Sequence, residues 1–229
     1  MIEPNGLYLH EEILLLALRD QEGTVAQGNY PYALGGAILA ELLLGEHIRV
    51  EDSKKKLVDR VGSSRIGEPL LDECVARIRD AKRRASLPMW VSRFAGTKGL
   101  KHRVAAGLCK RGILRADEDK VLLIFTRKIY PERDPEPERQ ILARLEEAIF
   151  TEVRDVDPRT TILLSLAHAS GILGANFDRK RLKERKQRIE RVVNGEMLGK
   201  ATREVITSVQ MAITVAAVMP AIMAGASHH

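Results

Sequence analysis

Tyr32 to Leu44 read YALGGAILAELLL, and Glu41 is the lone charged residue of this segment. A helix that is apolar on every side belongs in a protein core, and Gly45 follows where glycine commonly ends a helix. Leu7 to Arg19 (LYLHEEILLLALR) precede it and crowd their apolar residues on one side. The two segments predict a pair of core helices.

The rest of the chain is also mostly helical in pattern. Apolar periodicity, prolines at first positions and closing glycines predict six further helices: Pro69 to Arg84, Pro88 to Ala95, Gly99 to Arg111, Glu138 to Val153, Pro158 to Leu173 and Lys180 to Val193. His47 to Val50 and Leu57 to Val61 alternate as edge strands do. Ile113 to Tyr130 predict a hairpin with its turn at Asp117 to Asp119. We expect one domain, because the apolar helices are too contiguous for two independent cores.

Positive charge is concentrated in one part of the chain. Ala76 to Arg115 hold twelve Lys and Arg residues against a single acid, Asp80, whereas Glu132 to Asp157 carry a net charge of −5. Such an uneven distribution of charge on a folded surface predicts an anionic partner. The candidates are a nucleic acid, a membrane headgroup and an acidic protein face. Aromatic residues make up only 4% of the chain, which disfavours base stacking along a ladder of rings.

No motif for catalysis is recognisable. His168 lacks a neighbouring nucleophile in a glycine-flanked elbow, and the pair Gly35-Gly36 lacks the context of a phosphate-binding loop. Cys74 and Cys109 lie in apolar-periodic segments and are interpreted as small core residues. We therefore predict a binding protein rather than an enzyme, with no metal and no cofactor. Without a recognisable signal peptide, the expected compartment is the cytoplasm.

The C-terminal segment Val205 to Ala226 contains no charged residue, which raises the question of a membrane span. Polar residues and Pro220 interrupt it, and Ala and Val dominate its composition. A buried helix is the preferred interpretation, and a membrane-associated tail is the alternative. Terminal histidines such as His228 and His229 are typical of purification tags.

The segment around Lys98, Lys101 and Arg103 is the best candidate for an anion site. These cations surround the start of a predicted helix, where free backbone N–H groups and the positive end of the helix dipole attract phosphate. One interpretation is a winged helix that binds nucleic acid through the hairpin and the basic helix. The residues that would contact phosphates and bases are Lys101, Arg103, Lys110 and Arg111.

The other interpretation is a peripheral membrane protein. Each Lys or Arg near an anionic leaflet contributes about 1 kcal/mol of binding free energy, so several together suffice for reversible docking. An apolar loop beside the cations would add insertion energy, and Asn29 to Tyr32 (NYPY) provide such a loop.

Five blocks of sequence favour the membrane interpretation, because together they resemble the Golgi phosphoprotein 3 (GPP34) family. In chain order they are LYLHEEILLLALRDQEG, LGGAILAELLL, MWVSR with Trp90, VAAGLCKRGIL and LLSLAHASGIL. The resemblance covers Leu7 to about Ala217. It implies that residues 1–6 form a tail, residues 7–217 form the domain and residues 218–229 form a second tail. The implied fold is mainly α, a single-domain helical bundle with surrounding amphipathic helices and one protruding β-hairpin.

The family resemblance also implies a function and a site. It implies an adaptor that binds phosphatidylinositol 4-phosphate at membranes, retains membrane enzymes as clients and self-associates through the hairpin, here Leu114 to Tyr130. Two arginines of the family's lipid site fall on Lys98 and Lys101, and a third falls on Gly35. The membrane-inserting tryptophan is absent, and Asn29 and Tyr30 remain as the contact loop. These departures predict a divergent member of the family, such as a prokaryotic one.

Overall fold

The computed structural model describes residues 6–19, 22–25, 29–53, 55–121 and 125–195, with backbone alone at 119–121 and 125–126. The first half contains α1 (Leu9–Ala17), α2 (Tyr30–Leu44), β1 (Ile48–Val50), β2 (Val58–Arg60), α3 (Pro69–Arg79), α4 (Leu87–Ala95) and α5 (Leu100–Lys110). The second half contains β3 (Asp117–Val121), β4 (Phe125–Ile129), α6 (Glu136–Phe150), α7 (Pro158–Ala169), α8 (Leu173–Asn176), α9 (Arg179–Glu184) and α10 (Lys186–Val193). The mainly helical fold with a hairpin is as predicted.

Helices α1 and α2 form the centre of the core, as their sequences predict. Every residue of α1 is buried, and so is every residue of α2 from Ala33 to Leu42. The other helices surround this pair, since α1 packs on α5, α6, α7 and α8 while α2 packs on α3, α4 and α7.

Three of the buried residues in the central pair are glutamates, and each meets an arginine from a surrounding element. Glu11 binds Arg111 at the end of α5, with 2.9 Å between Oε2 and Nη1. Glu12 pairs with Arg144 of α6. Glu41 binds Arg159 of α7. A buried carboxylate without a partner is costly, so these pairs select how the outer helices sit on the central pair.

The pair Glu41 and Arg159 also joins the N-terminus of α1. Oε1 of Glu41 accepts hydrogen bonds from the Leu9 backbone N–H at 2.6 Å and from Nη2 of Arg159 at 2.6 Å. Nη2 of Arg159 also donates to the Leu7 carbonyl at 3.2 Å. The same carboxylate therefore caps one central helix and holds α7 beside it.

Helix α4 lies against α2 at unusually close range because of Gly35. A Cβ atom at this position would lie 2.6 Å from the carbonyl oxygen of Val91 and 3.0 Å from the backbone nitrogen of Ala95. The absence of a side chain therefore lets the two backbones touch.

The two short segments predicted as edge strands pair with each other, β1 antiparallel to β2. Helix α3 ends at Arg79, not at Arg84 as predicted. The chain after it turns and becomes extended, since the Val58 N–H donates to the Ala85 carbonyl at 2.9 Å and Leu57 forms a bridge with Ser86. Pairing with β2 thus overrides the helical pattern of this basic segment.

The second antiparallel pair, β3 and β4, is the predicted hairpin, but the predicted turn is wrong. Asp117, Glu118 and Asp119 lie within β3, and Glu118 and Asp119 stand opposite Lys128 and Arg127. Opposite charges across a strand pair stabilise a sheet, so Glu118 opposite Lys128 is better placed in the strand than in the turn. Residues 122–124 are outside the described residues.

The predicted helix at Lys180 to Val193 is divided into α9 and α10 and caps α6 rather than lying free. Arg188 is buried and donates to the carbonyls of Ala148 at 3.0 Å and Val153 at 2.6 Å. Arg185 donates to the Phe150 carbonyl at 2.5 Å. Cations at the C-terminal carbonyls of a helix are favourable, so part of this positive charge is structural.

The remaining differences are small. Helix α7 ends at Ala169 instead of continuing to Leu173, because Gly171 has a φ of 77° and turns the chain into α8. In the part of the chain that the structure describes, helices that would reach across a bilayer do not occur. The prediction for Val205 to Ala226 falls outside the described residues, as do most of both predicted tails.

We expect Gly35→Ala to lower the free energy of unfolding by about 1–3 kcal/mol, because the new methyl group meets backbone atoms that cannot move aside. Gly107→Ala is the matched control, since its Cβ would find only Oε1 of Glu11, at 3.6 Å. That variant should gain about 0.5–1 kcal/mol from helix propensity. Urea unfolding monitored by circular dichroism measures both. Stabilisation by both substitutions would contradict the close packing of α2 and α4.

We expect Arg159→Met to lower the free energy of unfolding by about 3–5 kcal/mol, because it leaves the Glu41 carboxylate buried without its cation. Arg79→Met serves as the comparison, since the pair Arg79–Asp80 is exposed and screened by solvent and should contribute far less to stability. The same urea titration measures both variants. Equal and small losses would show that the buried pair does not hold α7 in place.

Candidate functional site

The connection between α4 and α5 presents Lys98 and Lys101 at the start of α5. Gly99, the residue before the helix, has a φ of 68°, a left-handed conformation that glycine adopts without strain. Lys98 is exposed and Lys101 is half-buried. The first turn of α5 contains no acidic residue, so the positive end of the helix dipole is not neutralised locally.

Lys101 leans toward the hairpin instead of extending into solvent. Its Nζ lies 5.8 Å from the centre of the Tyr130 ring. Burial lowers the pKa of Lys101, and the nearby charge of Arg127 lowers it further. A partly desolvated ammonium group beside a second cation is unfavourable unless an anion joins them.

His102 attaches the start of α5 to the base of the hairpin. Its Nδ1 lies 2.8 Å from the hydroxyl oxygen of Tyr130. Burial lowers the pKa of His102, as do the charges of Lys101 and Lys128. The lowered pKa favours a neutral imidazole at pH 7, in which Nδ1 can accept the tyrosine hydrogen bond.

Arg103, the third cation of the predicted site, forms an ion pair with an acidic residue. Its guanidinium group donates to both carboxylate oxygens of Glu73 in α3, at 3.1 and 2.6 Å. These bonds lower the pKa of Glu73. The pair is partly exposed, so its contribution to stability is modest. Lys98 and Lys101, by contrast, have no carboxylate partner among the described residues.

Arg77 holds the α4–α5 connection from behind. Nη1 donates to Oγ1 of Thr97 at 2.7 Å, and Nη2 donates to the carbonyl of Arg93 at 3.2 Å. Its guanidinium also lies 5.6 Å from the centre of the Phe94 ring. The connection is thereby fixed from the α3 side, and this cation serves structure.

The prediction of a loop at Asn29 to Tyr32 is wrong for most of its length, because Tyr30 to Tyr32 form the first turn of α2, with Pro31 at a favoured first-turn position. Asn29 is the exposed residue before the helix, and Tyr30 packs partly against the core. No hydrogen bond or ion pair joins either residue to the three cations in the described part of the chain. Gly35, where the family resemblance places an arginine, faces the backbone of α4. There is no room for a side chain there.

The contacts of the nucleic-acid interpretation are partly used within the fold. Arg111 donates to the Gly6 carbonyl at 2.8 Å and to Glu11 at 2.9 Å, while Arg103 is held by Glu73. The basic residues of β4 stand opposite acids of β3. Lys110 is exposed. This arrangement gives the winged-helix interpretation less support than its sequence pattern suggested.

The basic segment from Ala76 to Arg115 divides into paired and available cations. Five of its members make ion pairs: Arg79, Arg84, Arg103, Arg111 and Arg115. Arg77 holds the α4–α5 connection, and the other six have no carboxylate partner within the described ranges: Lys82, Arg83, Arg93, Lys98, Lys101 and Lys110. The available charge therefore lies before α4, on α4 and at the two ends of α5.

Two residues that matter for the site were not singled out from sequence. Glu73 is 30 positions from Arg103, and Tyr130 is 28 positions from His102. Neither separation matches a helix or hairpin spacing, so no local pattern could have revealed them. For Glu73, the sequence offered one signal, which is that it is an acidic residue on the exposed face of α3.

Comparison with known proteins agrees with the resemblance. The family model described as Golgi phosphoprotein 3 (GPP34) matches residues 9–209. Vacuolar protein sorting-associated protein 74 from Schizosaccharomyces pombe is 27% identical over 220 residues, which cover 81% of this chain and 65% of the relative. The protein of the same name from Eremothecium gossypii is 30% identical over 160 residues, with coverage of 61% and 48%. The chain thus spans less than two thirds of either relative, but the family match extends over most of its own length. The chain belongs to the Golgi phosphoprotein 3 (GPP34) family.

Proposed function

We propose that this protein is a peripheral membrane adaptor that binds anionic lipid headgroups, including phosphatidylinositol 4-phosphate, through Lys98, Lys101 and Arg103. Binding, not catalysis, is the proposed activity, at the cytoplasmic face of a membrane. Asn29 and Tyr30 are proposed to contact the lipid surface. Family membership supports the adaptor role, and the names of both relatives refer to protein sorting.

The state of Lys101 is the observation that carries this proposal. Its ammonium group is half-buried, has a lowered pKa and faces the charge of Arg127. A phosphate group near Lys98 and Lys101 would offset the desolvation of the Lys101 ammonium group and would also meet the N-terminal end of α5. A lysine makes no planar two-point contact with phosphate, so we expect selectivity among anionic headgroups to be weaker than two arginines would give.

Arg103 has a smaller part in the proposal. Glu73 compensates its charge, so Arg103 adds little attraction while that pair is intact. The hairpin from Leu114 to Tyr130 is proposed as a self-association surface, and membrane enzymes are proposed as clients. Both proposals rest on the family alone.

We expect the double variant Lys98→Glu/Lys101→Glu to lose vesicle binding by more than about tenfold, since each cation contributes roughly 1 kcal/mol at an anionic surface. Co-sedimentation of the full chain measures this at two salt concentrations. The vesicles are neutral, or contain phosphatidylglycerol, or contain phosphatidylinositol 4-phosphate.

The matched control is Lys180→Glu/Lys183→Glu, which changes the net charge equally at two exposed positions of α9. It should lower binding much less. If both double variants bind as the unchanged chain does, Lys98 and Lys101 are not the headgroup site. If both lose the same amount, only overall charge matters.

We expect Glu73→Gln to strengthen binding to anionic vesicles by about fivefold, because it releases the charge of Arg103. Its effect on the free energy of unfolding should stay within about 1 kcal/mol, as for other exposed pairs. Glu190→Gln, at an exposed ion pair of α10, has the same charge change and is the control. Equal gains from both would exclude a specific part for Arg103.

A further inference from the structure

A second basic surface lies at the other end of α4. An open pocket of about 410 Å³ is bounded by the loop before β2, the segment between α3 and α4, and the first two turns of α4. Lys55, Arg83, Arg84 and Arg93 line it, and none of its lining residues is acidic. These cations are distinct from Lys98, Lys101 and Arg103.

Three of the four cations are available to a ligand. Arg84 binds Glu51 at 2.8 Å and Asp59 at 2.5 Å, so its charge is compensated. Lys55, Arg83 and Arg93 are exposed and have no carboxylate partner in the described part of the chain. Cations that are gathered around one pocket without acids attract an anion.

The walls of the pocket are held by backbone contacts. The Leu57–Ser86 bridge and the hydrogen bond from the Val58 N–H to Ala85 join the β2 side to the α4 side. The guanidinium of Arg93 lies 4.6 Å from the centre of the buried Trp90 ring, which limits its freedom. The pocket is therefore a formed surface and not a chance meeting of long side chains.

An exposed apolar residue lies among these cations. The side chain of Met89 is 43% exposed and lines the pocket. Among the described residues, one other large apolar side chain is similarly exposed, Val61 at 41%. A flexible apolar side chain surrounded by cations matches the boundary between headgroups and acyl chains of an anionic bilayer. A small soluble anion would make no use of Met89.

We propose that this pocket is a second lipid contact, in which Arg83, Arg93 and Lys55 bind the phosphate of an anionic phospholipid and Met89 enters the bilayer interface. The proposal rests on the proposed membrane docking but names a site that is independent of Lys98 and Lys101. Two contacts on one rigid body would bind a membrane more strongly than either alone, because the second forms at high effective concentration.

The test uses the full chain and vesicles containing phosphatidylglycerol. We expect Arg83→Glu/Arg93→Glu to reduce the partition coefficient by more than about tenfold, whereas Lys180→Glu/Lys183→Glu, with the same change of net charge, changes it far less. Circular dichroism of each variant checks that the fold is kept. A pocket variant that is folded and binds like the control overturns the proposal.

Comparison with Lys98→Glu/Lys101→Glu separates the two sites. Loss of binding in the pocket variant alone supports this inference and rejects the headgroup site proposed above. Loss in the lysine variant alone does the reverse. If neither folded variant loses binding, both proposals fail.

A second measurement examines the apolar contact. We expect Met89→Ser to weaken binding about threefold or more, even at high salt where charge attraction is screened, while Val61→Ser leaves it unchanged. Equal effects of the two serine substitutions would reject insertion of Met89.

The alternative of a soluble anion is tested by adding inorganic phosphate at millimolar concentration without vesicles. The proposal is wrong if Arg83→Glu/Arg93→Glu abolishes phosphate binding but leaves vesicle binding unchanged. The pocket would then serve a soluble anion.

Discussion

Three carboxylates enter the core on the two central helices, and the arrangement of the outer shell depends on the arginines that meet them. Glu11, Glu12 and Glu41 draw in one arginine each from the end of α5, from α6 and from α7. Apolar packing is non-directional in its driving force, whereas a buried carboxylate that loses its cation costs several kcal/mol. The hydrophobic effect therefore drives collapse here, and the three pairs select which packing of the helices results.

This constraint extends outward to the surface that we propose as functional. The pair Glu11–Arg111 fixes the C-terminal end of α5, and the Gly35 contact fixes α4 beside α2. The connection between α4 and α5 is thereby held at both ends, with its lysines presented outward. The hairpin is attached at its base, because the Tyr130 N–H donates to the Gly23 carbonyl at 3.0 Å and the Tyr130 side chain meets His102. Both proposed lipid contacts thus combine residues of helices with residues of short connections that are held at their ends by the fold.

Sequence patterns predicted the elements more successfully than the contacts between them. The almost uncharged Tyr32 to Leu44 segment and the hairpin pattern of Ile113 to Tyr130 are local signals, and both elements exist. The end of α3 and the hairpin turn were misplaced, since pairing with β2 and cross-strand charge at Glu118 override local preference. The start of α5 beside Lys98 and Lys101 was predicted because helix starts can be recognised from local sequence. Two contacts could not be predicted, because each joins distant parts of the chain. They are the ion pair of Arg103 with Glu73 and the approach of Lys55 to Arg83.

The contact at Gly35 also limits how this lineage can change. A family arginine at this position cannot be gained by one substitution, because any side chain meets the backbone of α4 before it reaches a ligand. Helix α4 would have to move away first, and that shift alone would leave a void beside α2. The two changes are each unfavourable without the other, which is a case of sign epistasis. Selection for tighter binding at the proposed headgroup site would more easily act on the exposed Lys98, which has room for arginine.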